Sequence, residues 1–150
     1  MASSRKTQIL DALVTLLRTI TVANAYERNV RTVHRSAAGL PAMATTDAIC
    51  IVYVDQIKLT KLEPVTPVTM TVHLLAVVRE RQDLEQAVDA LEADIEKAIG
   101  TDPQLGGLAL DTKVVAAHEC VSEELEGLGG SEMEIEIKYR HAIGNPYAAI

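Results

Sequence analysis

A chain of 150 residues, 48% hydrophobic and 23% charged, reads as one globular domain, since at that length folding buries roughly 68–70% of the unfolded surface. It has no Phe, no Trp and only four Tyr, so its core must be Val, Ile, Leu and Ala, and stacking platforms for single-stranded nucleic acid are nearly absent. A net charge of −7 repels a phosphate backbone unless the basic residues gather on one face; they are scattered, with a modest group at Arg28, Arg31 and Arg35.

The N-terminal segment MASSRKTQILDALVTLL is too polar and too regular for a signal peptide, and no run approaches the about 20 apolar residues that span a membrane. The chain is therefore expected to fold in the cytosol. SSRKTQILDALVTLLRTI predicts an amphipathic helix. Ile9, Leu10, Leu13, Leu16, Leu17 and Ile20 share one face, with Ser3 or Ser4 as N-cap. NVRTVHRS (29–36) predicts a short polar edge strand. AAGLPAMATTDA has no period and predicts a long loop near 37–47, of the kind that serves contact with a partner.

AICIVYV (48–54) is a continuous apolar run suited to a central strand. DQIKLTKLEPVTP closes with two prolines and predicts a second excursion near 55–67, a strand extension or a hairpin arm. VTMTVHLLAVVRE (68–80) alternates, with Val68, Met70, Val72, Leu74, Ala76 and Val78 on one side. In DLEQAVDALEADIEKAIG the stripe Leu84, Ala87, Val88, Leu91, Ile95, Ala98 and Ile99 predicts a second helix. Asp83 and Gln86 have capping-box spacing, and Gly100 stands where a C′ residue would. KVVAAHECV and SEMEIEIKYRHAI predict two more strands. In the last, Met133, Ile135, Ile137 and Tyr139 point inward while Glu132, Glu134, Glu136, Lys138 and Arg140 point outward. The fold class that follows is α+β: an antiparallel sheet of about four strands with two helices packed on one face.

Between the second helix and the next strand lies DPQLGGLALDT. A phosphate cradle needs glycines leading from a strand into a helix, with Lys-Ser or Lys-Thr for a P-loop. Here the order is reversed, so Gly106 and Gly107 are expected to supply positive φ in a structural turn anchored by Leu105 and Leu108. His34, His73, His118 and His141 each fall in a strand, without metal-ligand spacing. Cys50 and Cys120 sit in apolar runs and read as buried thiols. No Gly-x-Ser-x-Gly is present. Glu132, Glu134 and Glu136 share one solvated environment, whereas catalytic carboxylate pairs need environments that drive their pKa values apart. No catalytic residue, metal ligand or cofactor site is assigned, and no enzymatic activity is expected.

The N-terminal RKTQILDAL, the AICIVYV strand, the long VTMTVHLLAVV strand leading into an acidic helix, the helix exit DPQLGGLALDT and the final IKYRHAIGNPYAAI together resemble the tail terminator, or tail-completion, proteins of tailed bacteriophages. The resemblance covers nearly the whole chain. It implies a single domain that forms a homo-oligomer, a hexameric ring at the head-proximal end of the tail tube. Such a ring ends tube polymerisation and offers a surface for head–tail joining. The implied partners are the tail tube protein and a neck or head-completion protein, with genomic DNA passing through unbound and no membrane contact. The implied location is the virion tail or neck, after assembly in host cytoplasm. Six-fold repetition would let Glu132, Glu134 and Glu136 line the channel with negative charge, with the helix face Glu85, Asp89 and Glu92 as the alternative wall. Rival readings are another neck, connector or minor tail protein, or, in a different class, a small α+β enzyme or ligand-binding domain.

Overall fold

The computed structural model describes residues 2–35, 47–60, 64–121 and 127–148, with residues 120 and 121 described by backbone alone. The elements are α1 (Arg5–Leu17), β1 (Thr32–His34), β2 (Ala48–Leu59), β3 (Val65–Arg79), α2 (Leu84–Thr101), β4 (Asp111–Val121) and β5 (Leu128–Ala142), with a single 3₁₀ turn at Val22–Asn24. They form an α+β fold on a five-stranded sheet in the order β1-β2-β3-β5-β4. The short edge strand expected over 29–36 is present as β1, which makes five strands where about four were expected. The difference lies in direction: β1 pairs parallel to β2, Thr32 opposite Ala48 and His34 opposite Cys50. A parallel pair requires a crossover between its strands, which three residues of β1 could not announce.

Both helices form for local reasons and stay because one face is buried. Ser4, in extended conformation, caps α1 by accepting the Thr7 N–H at 3.2 Å. Behind it Ile9, Leu10, Leu13, Val14 and Leu17 are all buried. The stripe of α2 is buried as expected at Ala87, Val88, Leu91, Ile95, Ala98 and Ile99. Its two ends differ from expectation. Asp83 sits at φ 53 and makes no side-chain capping bond, so the Asp83–Gln86 capping box does not form. Gly100 lies inside the helix, which instead ends at Thr101 because Asp102 precedes Pro103, and a residue before proline is pushed out of the helical region.

The strands β3 and β5, fifteen residues each, pair along their whole length from Val65↔Ala142 to Arg79↔Leu128. With period two, Val68, Met70, Val72, Leu74, Ala76 and Val78 of β3 and Met133, Ile135, Ile137 and Tyr139 of β5 enter one core with the stripes of both helices. At the start of β5 the backbones close in: a Cβ on Gly130 would meet the Ala76 carbonyl oxygen at 2.8 Å, so only glycine fits there. The excursion expected near 55–67 is shorter. β2 continues to Leu59, with register shifts between Ile51 and Tyr53 and between Val54 and Gln56, and β3 begins at Val65. Residues 61–63 lie outside the described residues, as does the predicted loop 37–47 as far as residue 46.

Two buried carboxylates hold the segment between α1 and β1 in place. Asp94, at a core-facing position of α2 and 3% exposed, accepts the backbone N–H of Glu27 at 3.2 Å and of Arg28 at 2.8 Å. Asp47 accepts the Arg79 N–H at 3.1 Å, and its other oxygen takes the Arg28 guanidinium at 2.6 Å. Each carboxylate thus satisfies groups from segments distant in sequence, the arrangement that makes burying a charge tolerable.

The turn after α2 puts Leu105, Gly106 and Gly107 at φ 50, 70 and 89. Leu105 is 2% exposed, and the Asp102 carboxylate accepts the Gly106 N–H at 2.9 Å. Replacing Gly106 and Gly107 together by alanine should destabilise by about 1–2 kcal/mol per residue in the left-handed region; urea unfolding with an unchanged midpoint would refute the need for glycine. Asp94→Ala strands two backbone donors and should cost about 1.5–3 kcal/mol, read in the same unfolding experiment, with a loss under about 0.5 kcal/mol showing that Asp94 is not the clasp described.

Candidate functional site: the open face of the sheet

The alternation that sends one set of side chains into the core sends the other to the opposite face of the sheet, away from both helices. Along β5 this face carries Glu132, Glu134, Glu136, Lys138 and Arg140. The cross-strand register brings neighbours alongside: Thr69, Thr71, His73 and Leu75 from β3, Tyr53, Gln56 and Lys58 from β2, and Asp111, Lys113, Ala116 and His118 from β4. At one end the face closes into a small apolar cluster of Ala48, Cys50 and Val77, with Leu75 and Leu128 packed against it. Burial there pushes the Cys50 thiol up from its ordinary pKa, away from the thiolate a nucleophile requires.

The three glutamates do not share one environment, as their spacing alone suggests. Glu136 lies between Lys113 at 3.7 Å and Lys138 at 3.8 Å. Glu132 contacts His73 instead, Oε1 to Nδ1 at 3.2 Å, and Asp55 approaches the other ring nitrogen at 3.5 Å. The Tyr53 ring stacks on His73, centroids 4.5 Å apart and planes 12° from parallel. Partial loss of hydration first, then the charges of Glu132, Asp55 and Glu134, push the Tyr53 phenol up from its ordinary pKa. The face is therefore graded: acidic around Glu132, Glu134 and Asp55, basic toward Lys58, Lys138 and Arg140. Exposed ion pairs of this kind contribute only about 0–1 kcal/mol each, so the pattern matters for what the face meets more than for stability.

Glu85, Asp89 and Glu92 are on α2, hence on the other side of the sheet. Glu92 is half-buried and accepts a hydrogen bond from the Ser131 hydroxyl. Asp89, Glu92 and Glu119 of β4 bring oxygens within 4.8 Å of one another. The two acidic groups are thus on opposite faces of the sheet. Of the histidines, His34 stands on β1, His73 on β3, His118 on β4 and His141 on β5. His141 is buried, with Nδ1 2.8 Å from the Ala142 carbonyl. The side chain of Cys120 lies outside the described residues.

Sequence reasoning missed the Tyr53–His73–Glu132–Asp55 grouping and the place of Glu119. Both depend on which strands are neighbours, and β3 pairs with β5 rather than with the next strand in the chain. Asp94 did leave a signal, as an acid three residues after Leu91 on the buried stripe of α2.

Partial loss of hydration first, then the charges of Glu92 and Asp89, a hydrogen bond with Glu92 and the charge of Glu85, raise the Glu119 pKa from its ordinary value. A carboxyl raised in the folded state opposes folding where it is ionised, and the penalty fades as pH falls toward the unfolded value. Glu119→Gln should therefore raise the thermal midpoint at pH 7 and give a smaller gain at pH 4; equal gains at both pH values would contradict the repulsion.

No protein-family model matches the chain, and no curated protein matches it. Among solved structures the chain is similar to one described as "Virion of native gene transfer agent (GTA) particle", at a TM-score of 0.45 and 8% identity, over 91% of this chain and 92% of that chain. A likeness at this level carries no argument about role.

Proposed function

We propose that this chain is a structural subunit of a tailed-phage virion, capping the head-proximal end of the tail tube as a closed ring and presenting the surface to which the neck joins. The observation that carries the reading is the two-sidedness of the sheet. Helices and core occupy one side, while the long strands β3 and β5 hold a graded, charged face on the other. A ring that turns the helices outward makes that face its inner wall and multiplies each exposed charge by the symmetry.

Such a wall suits a polyanion that must pass without adhering. Phosphates gain affinity with every cation they can reach through release of counterions. Glu136 shields Lys113 and Lys138, and Glu132 and Glu134 with Asp55 supply repulsion. The β5 glutamates form the wall rather than the α2 face, because a ring that turns the helices outward carries Glu85, Asp89 and Glu92 to the side of the sheet away from its channel. No catalytic role and no cofactor is assigned to the chain.

Purified tail-tube protein polymerised in the presence of this chain should give tubes whose mean length falls as the chain's concentration rises; tubes that lengthen as they do without it would exclude the capping role. Replacing Glu132, Glu134 and Glu136 together by lysine should leave the subunit folded and able to cap. The variant ring should retain duplex DNA, with retention falling steeply as salt rises. Normal DNA passage through rings of the triple variant would remove these residues from the wall.

A further inference from the structure

The geometry points to a specific interface: the free edge of β4 in one copy of this chain pairs, antiparallel, with the free edge of β2 in the next copy. It deepens the ring reading, on which it rests for closure. Among the described residues β1 covers only Ala48–Cys50 of β2, so Ile51–Leu59 has no strand on its outer side. At the other end of the sheet β4, among the described residues, pairs on one side only. Unpaired strand edges are templates for another chain unless they are blunted.

Direction and register both fit. From β2 through β3 and β5 to β4, each strand opposes its neighbour. β4 therefore runs opposite to β2, and a copy rotated about an axis along the strands presents its β2 antiparallel to this β4. Rows across the sheet join Lys58–Thr69–Lys138–Asp111 and Gln56–Thr71–Glu136–Lys113. Leu59 shares the next row with Val68 and Tyr139. Leu110, one residue before Asp111, donates its N–H to the Lys138 carbonyl at 2.7 Å at that end of β4.

With no axial shift between copies, Asp111 meets Lys58 and Lys113 meets Gln56 beside Asp55. Leu110 and Leu59, 49% and 60% exposed in the single chain, both lie at that end of the seam. A shift of one residue would turn the two faces out of alignment. A shift of two would set Lys113 against Lys58 in one direction, or Asp111 against Gln56 beside Asp55 in the other. Opposite charges directly across a strand pair stabilise it and like charges oppose it, so the charge pattern selects the unshifted seam. The irregularities spare it: those of β2 fall before Gln56 and that of β4 after Val114.

The test measures the mass of the full chain by sedimentation, with and without tail-tube protein, for wild type, Lys58→Asp, Asp111→Lys and the double swap. Each single change should raise the concentration for half-assembly by about fivefold, and the double swap should restore it. A Lys58→Cys/Asp111→Cys variant should form disulfides between copies, mapped by mass spectrometry, that ladder to the full ring. A multimer indifferent to both charge changes and without the 58–111 link would overturn the seam while leaving the ring intact. A chain that stays monomeric even with tail-tube protein, or stops at a dimer, would overturn both.

Discussion

The pairing of β3 with β5 is the constraint on which the rest of this molecule depends. Fifteen residues on each strand run in register without interruption, so two faces are defined over the full length of the sheet by period-two geometry alone. Leu74 and Ile135, both 0% exposed, show what one face requires, while Glu132 and Glu134 across the same backbone show what the other permits. Slipping the register by one residue would exchange the two sets and place carboxylates against Leu91 and Ile95, which the cost of burying unpaired charge forbids. The flanking strands β2 and β4 tolerate register shifts because they are anchored to this ladder and not to each other.

The helices lie on only one side of this sheet, and polar contacts hold the connecting segment there. Asp94 fixes the backbone at Glu27 and Arg28, Asp47 joins Arg28 to the end of β3, and the Lys97 ammonium donates to the Ala25 carbonyl while lying 4.8 Å over the Tyr26 ring. These groups replace the aromatic bulk the composition lacks: in a core of aliphatic side chains, directional bonds decide where an irregular segment sits. Among the described residues, a helix layer secured in this way leaves the charged face and the outer strand edges uncovered. The ring proposed here uses both, the face as its wall and the edges as its seams.

Much of this was legible from periodicity. Both helices, the long alternating strand from Val68, the inward and outward sets of β5 and the α+β class follow from apolar spacing, because burial of one face is a local property written every two or every 3.6 residues. The turn at Gly106 and Gly107 was legible for a similar reason, since left-handed backbone selects its residue type directly. What periodicity could not report was partnership. Nothing in NVRTVHRS tells that β1 would lie parallel to β2, and nothing in the order of strands tells that β5 would insert between β3 and β4. The stacking of Tyr53 on His73, the contact of His73 with Glu132 and the different surroundings of Glu132 and Glu136 exist only once those neighbours are chosen. Gly100 marks the same boundary: it has the residue type of a helix C′ position, yet Pro103 lets the helix run on to Thr101, while Asp83 stands at the N-cap as expected but without its side-chain bond. The sequence by itself determined which side chains leave water, through hydrophobic spacing; only the tertiary structure decided which charges meet, because that depends on strands far apart in the chain being brought side by side.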